Sequence, residues 1–210
     1  ESIYEEMLVL EKEQVETISM PVGNFVDHDV KPCCGIVSDK EFIDEEDEPR
    51  GFYNPNRTQA QLIWFEAGYV EYRFPNLGLK NRTLKSVEFS AELCSETQFY
   101  NMDCPSDITL WINGCEAGTW RCPSDFGGRR GKLNPLKTWR FTGKGTYING
   151  KKVSDRVLED YGWREHPYIS VRIGIRDDAQ CVGGINIFGE RFGDYPQNLV
   201  LKLIYAEAVE

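Results

Sequence analysis

Carboxylates are plentiful in this chain and bases are scarce. Aspartate and glutamate number 34, against two histidines, His28 and His166, which lie far apart in sequence. Hydrolysis or acyl transfer needs a nucleophile held against a base, and no G-x-S-x-G turn or cysteine–histidine pairing presents one. Asp27-His28-Asp29 has metal-ligating residue types. On a strand, however, alternate side chains point to opposite faces, so the two aspartates would turn away from His28. The segment reads as a solvated turn. Glycoside hydrolysis needs two carboxylates at a fixed separation across a cleft. No E-x-D-x-x-E strand supplies them, which leaves only an unusual pair such as Asp125 with Asp194. No glycine-rich phosphate loop follows a strand and opens a helix. The chain therefore reads as a non-enzyme without a metal or cofactor.

Binding chemistry is better represented. Three stretches bring planar polar groups beside aromatic rings and glycines: Gly51–Gln59 followed by Trp64, Asp125–Pro135 followed by Trp139, and Gly183–Gln197. A saccharide presents hydroxyls in fixed directions and an apolar C–H face. Asp, Asn and Arg can satisfy the first, and Trp and Tyr can cover the second. A small-molecule site needs just such a mostly apolar wall with a few placed polar groups. The candidate contacts are Trp64 and Trp139 as stacking surfaces, Arg57, Asp125, Arg130, Asn186 and Asp194 as polar partners, and Tyr195 at the rim. Structural ties between loops and core compete with this reading for each of these residues.

The elements that must carry these stretches are strands. Val87, Phe89, Ala91 and Leu93 alternate with polar neighbours, as do Ile169, Val171, Ile173 and Ile175, and Leu199, Leu201 and Leu203, which is the period of a strand with one buried face. Gln59–Phe74 reads as two strands joined at Ala67-Gly68. Asn113-Gly114 and Asn149-Gly150 each sit between such runs, and Asn-Gly supplies the positive φ angles of a two-residue hairpin turn. Ser154–Tyr161 holds the one plausible helical turn. The acidic run Asp39–Glu48 is a loop, because like charges repel and stay solvated. Nine or ten strands at intervals near a dozen residues predict an all-β fold, an antiparallel β-sandwich or barrel. We divide the chain into a connector or edge strand over residues 1–14 and one β-domain over 15–210.

Composition limits the partners. The chain has 210 residues and a net charge of -10, which argues against a free-standing DNA-binding domain, since duplex binding needs a basic face. No apolar run approaches the roughly 18 residues of a membrane helix. The seven cysteines lack repeated pair spacing and read as reduced thiols of a cytoplasmic protein. The chain begins at Glu1 rather than Met, which suggests a piece of something longer.

The motifs Pro21-Val22-Gly23-Asn24-Phe25, Ala60-Gln61-Leu62-Ile63-Trp64-Phe65, Pro105–Gly114, Asp125–Gly131 and Phe188–Gln197 resemble the C-terminal effector domain of Firmicutes ArsR-family transcriptional regulators, which carry a winged helix-turn-helix at the N-terminus. The resemblance spans nearly all of residues 15–205. It implies a jelly-roll like that of carbohydrate-binding modules and a small polar effector such as a saccharide. It also implies DNA binding only through an absent N-terminal head, and a homodimer in the full-length protein. Metal sensing is not implied, because the metal-binding cysteines of better-known relatives lie on their heads. Two other readings stand beside it: a dimerisation or protein-interaction module without a small ligand, and a carbohydrate-binding module of a glycan-processing enzyme.

Overall fold

The computed structural model describes residues 13–76, 82–97, 103–127 and 134–206. Twelve strands run through them: β1 (Glu13–Met20), β2 (Asp27–Val37), β3 (Leu62–Pro75), β4 (Thr83–Cys94), β5 (Ser106–Ile112), β6 (Cys115–Cys122), β7 (Leu136–Thr142), β8 (Gly145–Ile148), β9 (Lys151–Ser154), β10 (Tyr168–Ile175), β11 (Ile185–Phe188) and β12 (Leu199–Ala206). Short 3-10 turns occupy Pro49–Tyr53, Pro55–Gln59 and Leu158–Tyr161. All the pairings are antiparallel, so the fold is all-β, as the alternating apolar positions require. Among the described residues no helix is long and apolar enough to cross a membrane.

The pairings make one twelve-stranded sheet that doubles over into two layers. One runs β6-β5-β10-β3-β2, and the other runs β1-β12-β4-β7-β8-β9. β11 closes one side, pairing with Leu62–Phe65 of β3 and with Glu92–Cys94 of β4. Alternate residues of the two layers meet in the middle. Val70, Tyr72 and Phe74 come from β3, and Val87, Phe89 and Leu93 come from β4; all are fully buried. The Phe74 and Phe89 rings meet edge to face across the layers at 6.2 Å. Side chains of this size each contribute about 1.5–3 kcal/mol when fully buried.

Residues 62–75 form one continuous strand rather than two. Gly68 takes a positive φ of 95°, yet it stays in the ladder opposite Val30. A Cβ at Gly68 would lie 1.7 Å from the Asp29 carbonyl oxygen, so this glycine serves a close backbone approach and a bend. The register of β2 against β3 shifts beside it, between Lys31 and Cys34. The part of β3 before the bend pairs with β11 and the part after it with β10. Both Asn-Gly turns are as expected, with φ of 49° and 78° at Asn113-Gly114 and of 45° and 83° at Asn149-Gly150. The helical turn narrows to Leu158–Tyr161. β1 begins at Glu13, and residues 1–12 lie outside the described residues.

Candidate functional site

Two prolines and an asparagine build the first wall of the site. Pro49 and Pro55 each start a 3-10 turn, where the fixed φ fits and the missing N–H costs nothing. Asn54 ends the first turn and caps the second, its side-chain oxygen accepting the Asn56 N–H at 2.9 Å. The arrangement sends successive aromatics in opposite directions. Phe52 is buried against Phe25 with ring centroids 5.6 Å apart, and Tyr53 stands 74% exposed. Gly23 locks the second turn from behind, because a Cβ there would lie 1.7 Å from the Arg57 carbonyl oxygen.

β2 supplies the facing wall. Asp27, His28 and Asp29 lie on this strand, not on a turn, and they alternate. Asp27 faces outward, accepting a hydrogen bond from the Tyr69 hydroxyl at 3.1 Å. His28 faces the other way, edge-on to Tyr53 at 4.4 Å and beside Phe25 and Phe52. Burial lowers the His28 pKa below its ordinary 6.5; Arg57 adds to this effect, and Asp27 and Asp29 oppose it. The imidazole is therefore neutral at pH 7, with one nitrogen donating and one accepting. Arg57 rests over the Phe25 ring, its guanidinium carbon 5.5 Å from the centroid. These groups line a cavity of about 260 Å³. That is just under the roughly 300–1,000 Å³ of drug-sized ligand pockets.

The other sequence-derived candidates do not join Arg57 in this cavity. Trp139 is fully buried beside Phe89, so the stacking surface expected of it is a core residue; β7 turns the ring inward between the layers. Trp64 is buried as well, because its ring fills the space over Gly35, where a Cβ would meet it at 2.2 Å, and Phe42 packs edge-on to it. Asp125 is buried and accepts the Gly127 N–H at 2.9 Å. Asp194 accepts the Asn134 N–H, and the N–H groups of Asp194 and Tyr195 donate to Glu92 at 2.8 and 3.0 Å. Asn186 is buried and donates to the Ser95 carbonyl and to Glu96. Arg130 lies outside the described residues. Arg57 is thus the one candidate that lines the cavity, and His28 and Tyr53 were not among the candidates.

A second cavity of about 260 Å³ lies beside Asn186, lined by Cys33, Glu66, Glu96, Thr97, Cys104 and neighbours. Burial raises the Glu96 carboxyl to about 7, the hydrogen bond from Asn186 opposes this, and the negative charges of Asp125, Glu46 and Asp47 add to the rise. All seven cysteines are free thiols. Among the described residues no group of three or more His, Cys, Asp or Glu side chains could hold a metal ion.

No protein-family model matches the chain, and no curated protein matches it. Among solved structures, the chain is similar to the CBM36-1 domain of a multidomain xylanase from the hindgut metagenome of Trinervitermes trinervoides, with 11% identity, a TM-score of 0.35, and coverage of 94% of this chain and 100% of that one. It is also similar to the Agl-KA catalytic domain, with 13% identity, a TM-score of 0.22, and coverage of 72% of this chain and 22% of that one.

Proposed function

We propose that this chain is a non-catalytic binding domain for a small saccharide, seated in the cavity between His28, Tyr53 and Arg57. The exposed Tyr53 ring carries this reading. A tyrosine three-quarters exposed at a cavity mouth, held edge-on by a neutral imidazole, offers an apolar face for sugar C–H groups. His28 can donate to one hydroxyl and accept from another. The cavity holds a single sugar ring rather than a chain, so the module binds a terminal unit or a free sugar.

The motifs that resemble ArsR-family effector domains support a regulatory setting for this binding. In that setting the sugar acts by binding one arrangement of attached DNA-binding heads more tightly than the other, the only way a ligand can shift such an equilibrium. The resemblance is what supports this setting; the cavity itself serves equally for a module attached to a glycan-processing enzyme.

Calorimetric titration with a panel of mono- and oligosaccharides tests the binding. The expected result is saturable heat from at least one sugar, with affinity reduced about tenfold or more in Tyr53→Ala. Tyr53 is exposed, so this variant should keep the parent melting temperature within about 2 °C. Absence of heat for every sugar, or full affinity in Tyr53→Ala, contradicts the proposal.

A further inference from the structure

Arg57 is only partly exposed and lines the cavity, yet its guanidinium makes no hydrogen bond or ion pair to any described residue. The chain has carboxylates to spare, with 34 acidic residues against 24 basic ones. Other arginines have used them: Arg121 is forked onto Asp107 at 2.7 and 2.9 Å, Arg172 is held by Glu71 at 2.8 Å, and Arg176 reaches both Glu116 and Asp178. One carboxylate, Asp27, itself lines the cavity, and it is already engaged. Asp27 accepts from the Tyr69 hydroxyl and from the His28 backbone N–H, and the Arg172 guanidinium lies 3.9 Å away. His28, its pKa lowered by burial, brings no full positive charge to the cavity at pH 7. A planar fork of five donors is thus held on the Phe25 ring at the cavity wall without an acceptor.

We propose that the ligand of this cavity is an anionic saccharide, a uronate or a sugar phosphate, whose negative group is held by Arg57 while the ring lies against Tyr53. The inference rests on the saccharide reading above and adds the charge. Arg–carboxylate and Arg–phosphate pairs form parallel N–H···O bonds that are about twice as strong as neutral ones. They therefore set a wide margin over a neutral sugar of the same stereochemistry.

The test is calorimetry at fixed ionic strength near 0.15 M, because a screened charge pair weakens with salt. The probes are glucose and galactose, glucuronate and galacturonate, glucose 6-phosphate and galactose 6-phosphate, and inorganic phosphate alone, against the parent chain, Arg57→Gln and Arg57→Lys. The expected result is an anionic sugar bound about tenfold or more tighter than its neutral counterpart. That margin should close in Arg57→Gln and be restored only in part by Arg57→Lys, which keeps the charge and loses the fork. A uronate that outcompetes the sugar phosphate assigns a carboxylate, and the reverse order assigns a phosphate. A neutral sugar bound as tightly as the anionic ones overturns the inference and leaves the saccharide reading standing. Inorganic phosphate bound as tightly as the sugar phosphates, through Arg57, keeps the anion and overturns the sugar. Binding by none of the probes overturns both.

Discussion

Glu92→Ala is expected to destabilise the domain by about 3–5 kcal/mol, lowering the melting temperature by about 10 °C or more. Glu92 sits on the outer face of β4, where a carboxylate is normally solvated. Here it is 1% exposed, covered by the loop that follows β11. Its oxygens accept hydrogen bonds from the Asn134 amide at 2.8 Å and from the Asp194 and Tyr195 N–H groups. Gly193 makes the approach possible, since a Cβ there would lie 2.2 Å from a Glu92 oxygen. Alanine removes the shared acceptor and strands these donors away from water, which costs more than the bonds themselves contribute. Glu92→Gln keeps the shape and one acceptor, and should lose about half as much. Thermal melts of both variants check this. A change below about 1 kcal/mol in Glu92→Ala would show that the loop is not fastened there.

Glu96→Gln should act in the opposite direction and only at higher pH. The Glu96 carboxyl, ordinarily near 4.5, is raised to about 7 in the fold, chiefly by burial. The folded state therefore holds a proton that the unfolded chain has lost. The stabilisation this gives is complete below about pH 4.5 and fades as pH rises through 7, to a limit of about 3 kcal/mol. Water at the cavity mouth reduces this to about 1–2 kcal/mol. Glutamine mimics the protonated acid and still accepts from Asn186. The expected melting temperature of Glu96→Gln matches the parent at pH 5 and exceeds it by about 3–8 °C at pH 8. Parallel melting curves across that range would contradict the account.

These two glutamates show how far the sequence can be read. The alternation in Leu84–Cys94 identifies β4 and places Glu92 on its polar face, which is correct. That the face is covered depends on a loop about a hundred residues further on, and no local pattern encodes it. Asn-Gly turns are legible because the requirement for positive φ is local. The bend at Gly68 is not, since the same Ala-Gly pair suits a turn and only the Asp29 carbonyl opposite decides between them. Trp64 and Trp139 illustrate the same limit for the site. A tryptophan beside a polar, glycine-rich stretch suits a sugar platform and a sandwich core equally. Strand phase sends Trp139 into the core, whereas Trp64 lies on the opposite face of β3 from Ile63 and Phe65 and is buried by Gly35 and Phe42, a cover that no local pattern encodes. The signal for His28 was present in the alternation of Asp27-His28-Asp29. On β2 the alternation that turns both aspartates one way turns His28 toward Phe25 and Phe52. Arg57 is legible as a polar group among the aromatics and glycines of Gly51–Gln59, but the two short turns that aim it at the cavity come from the structure.

We propose a saccharide in the cavity between His28, Tyr53 and Arg57. The most direct test is an NMR titration with glucuronate, glucose 6-phosphate and glucose that follows the His28 and Tyr53 ring protons and the Arg57 Nε–H. The account predicts saturable shifts in all three groups with at least one of these sugars, with the amides around Glu96 and Glu92 unmoved. Saturable shifts centred on any other part of the domain, with these three groups unchanged, would contradict it.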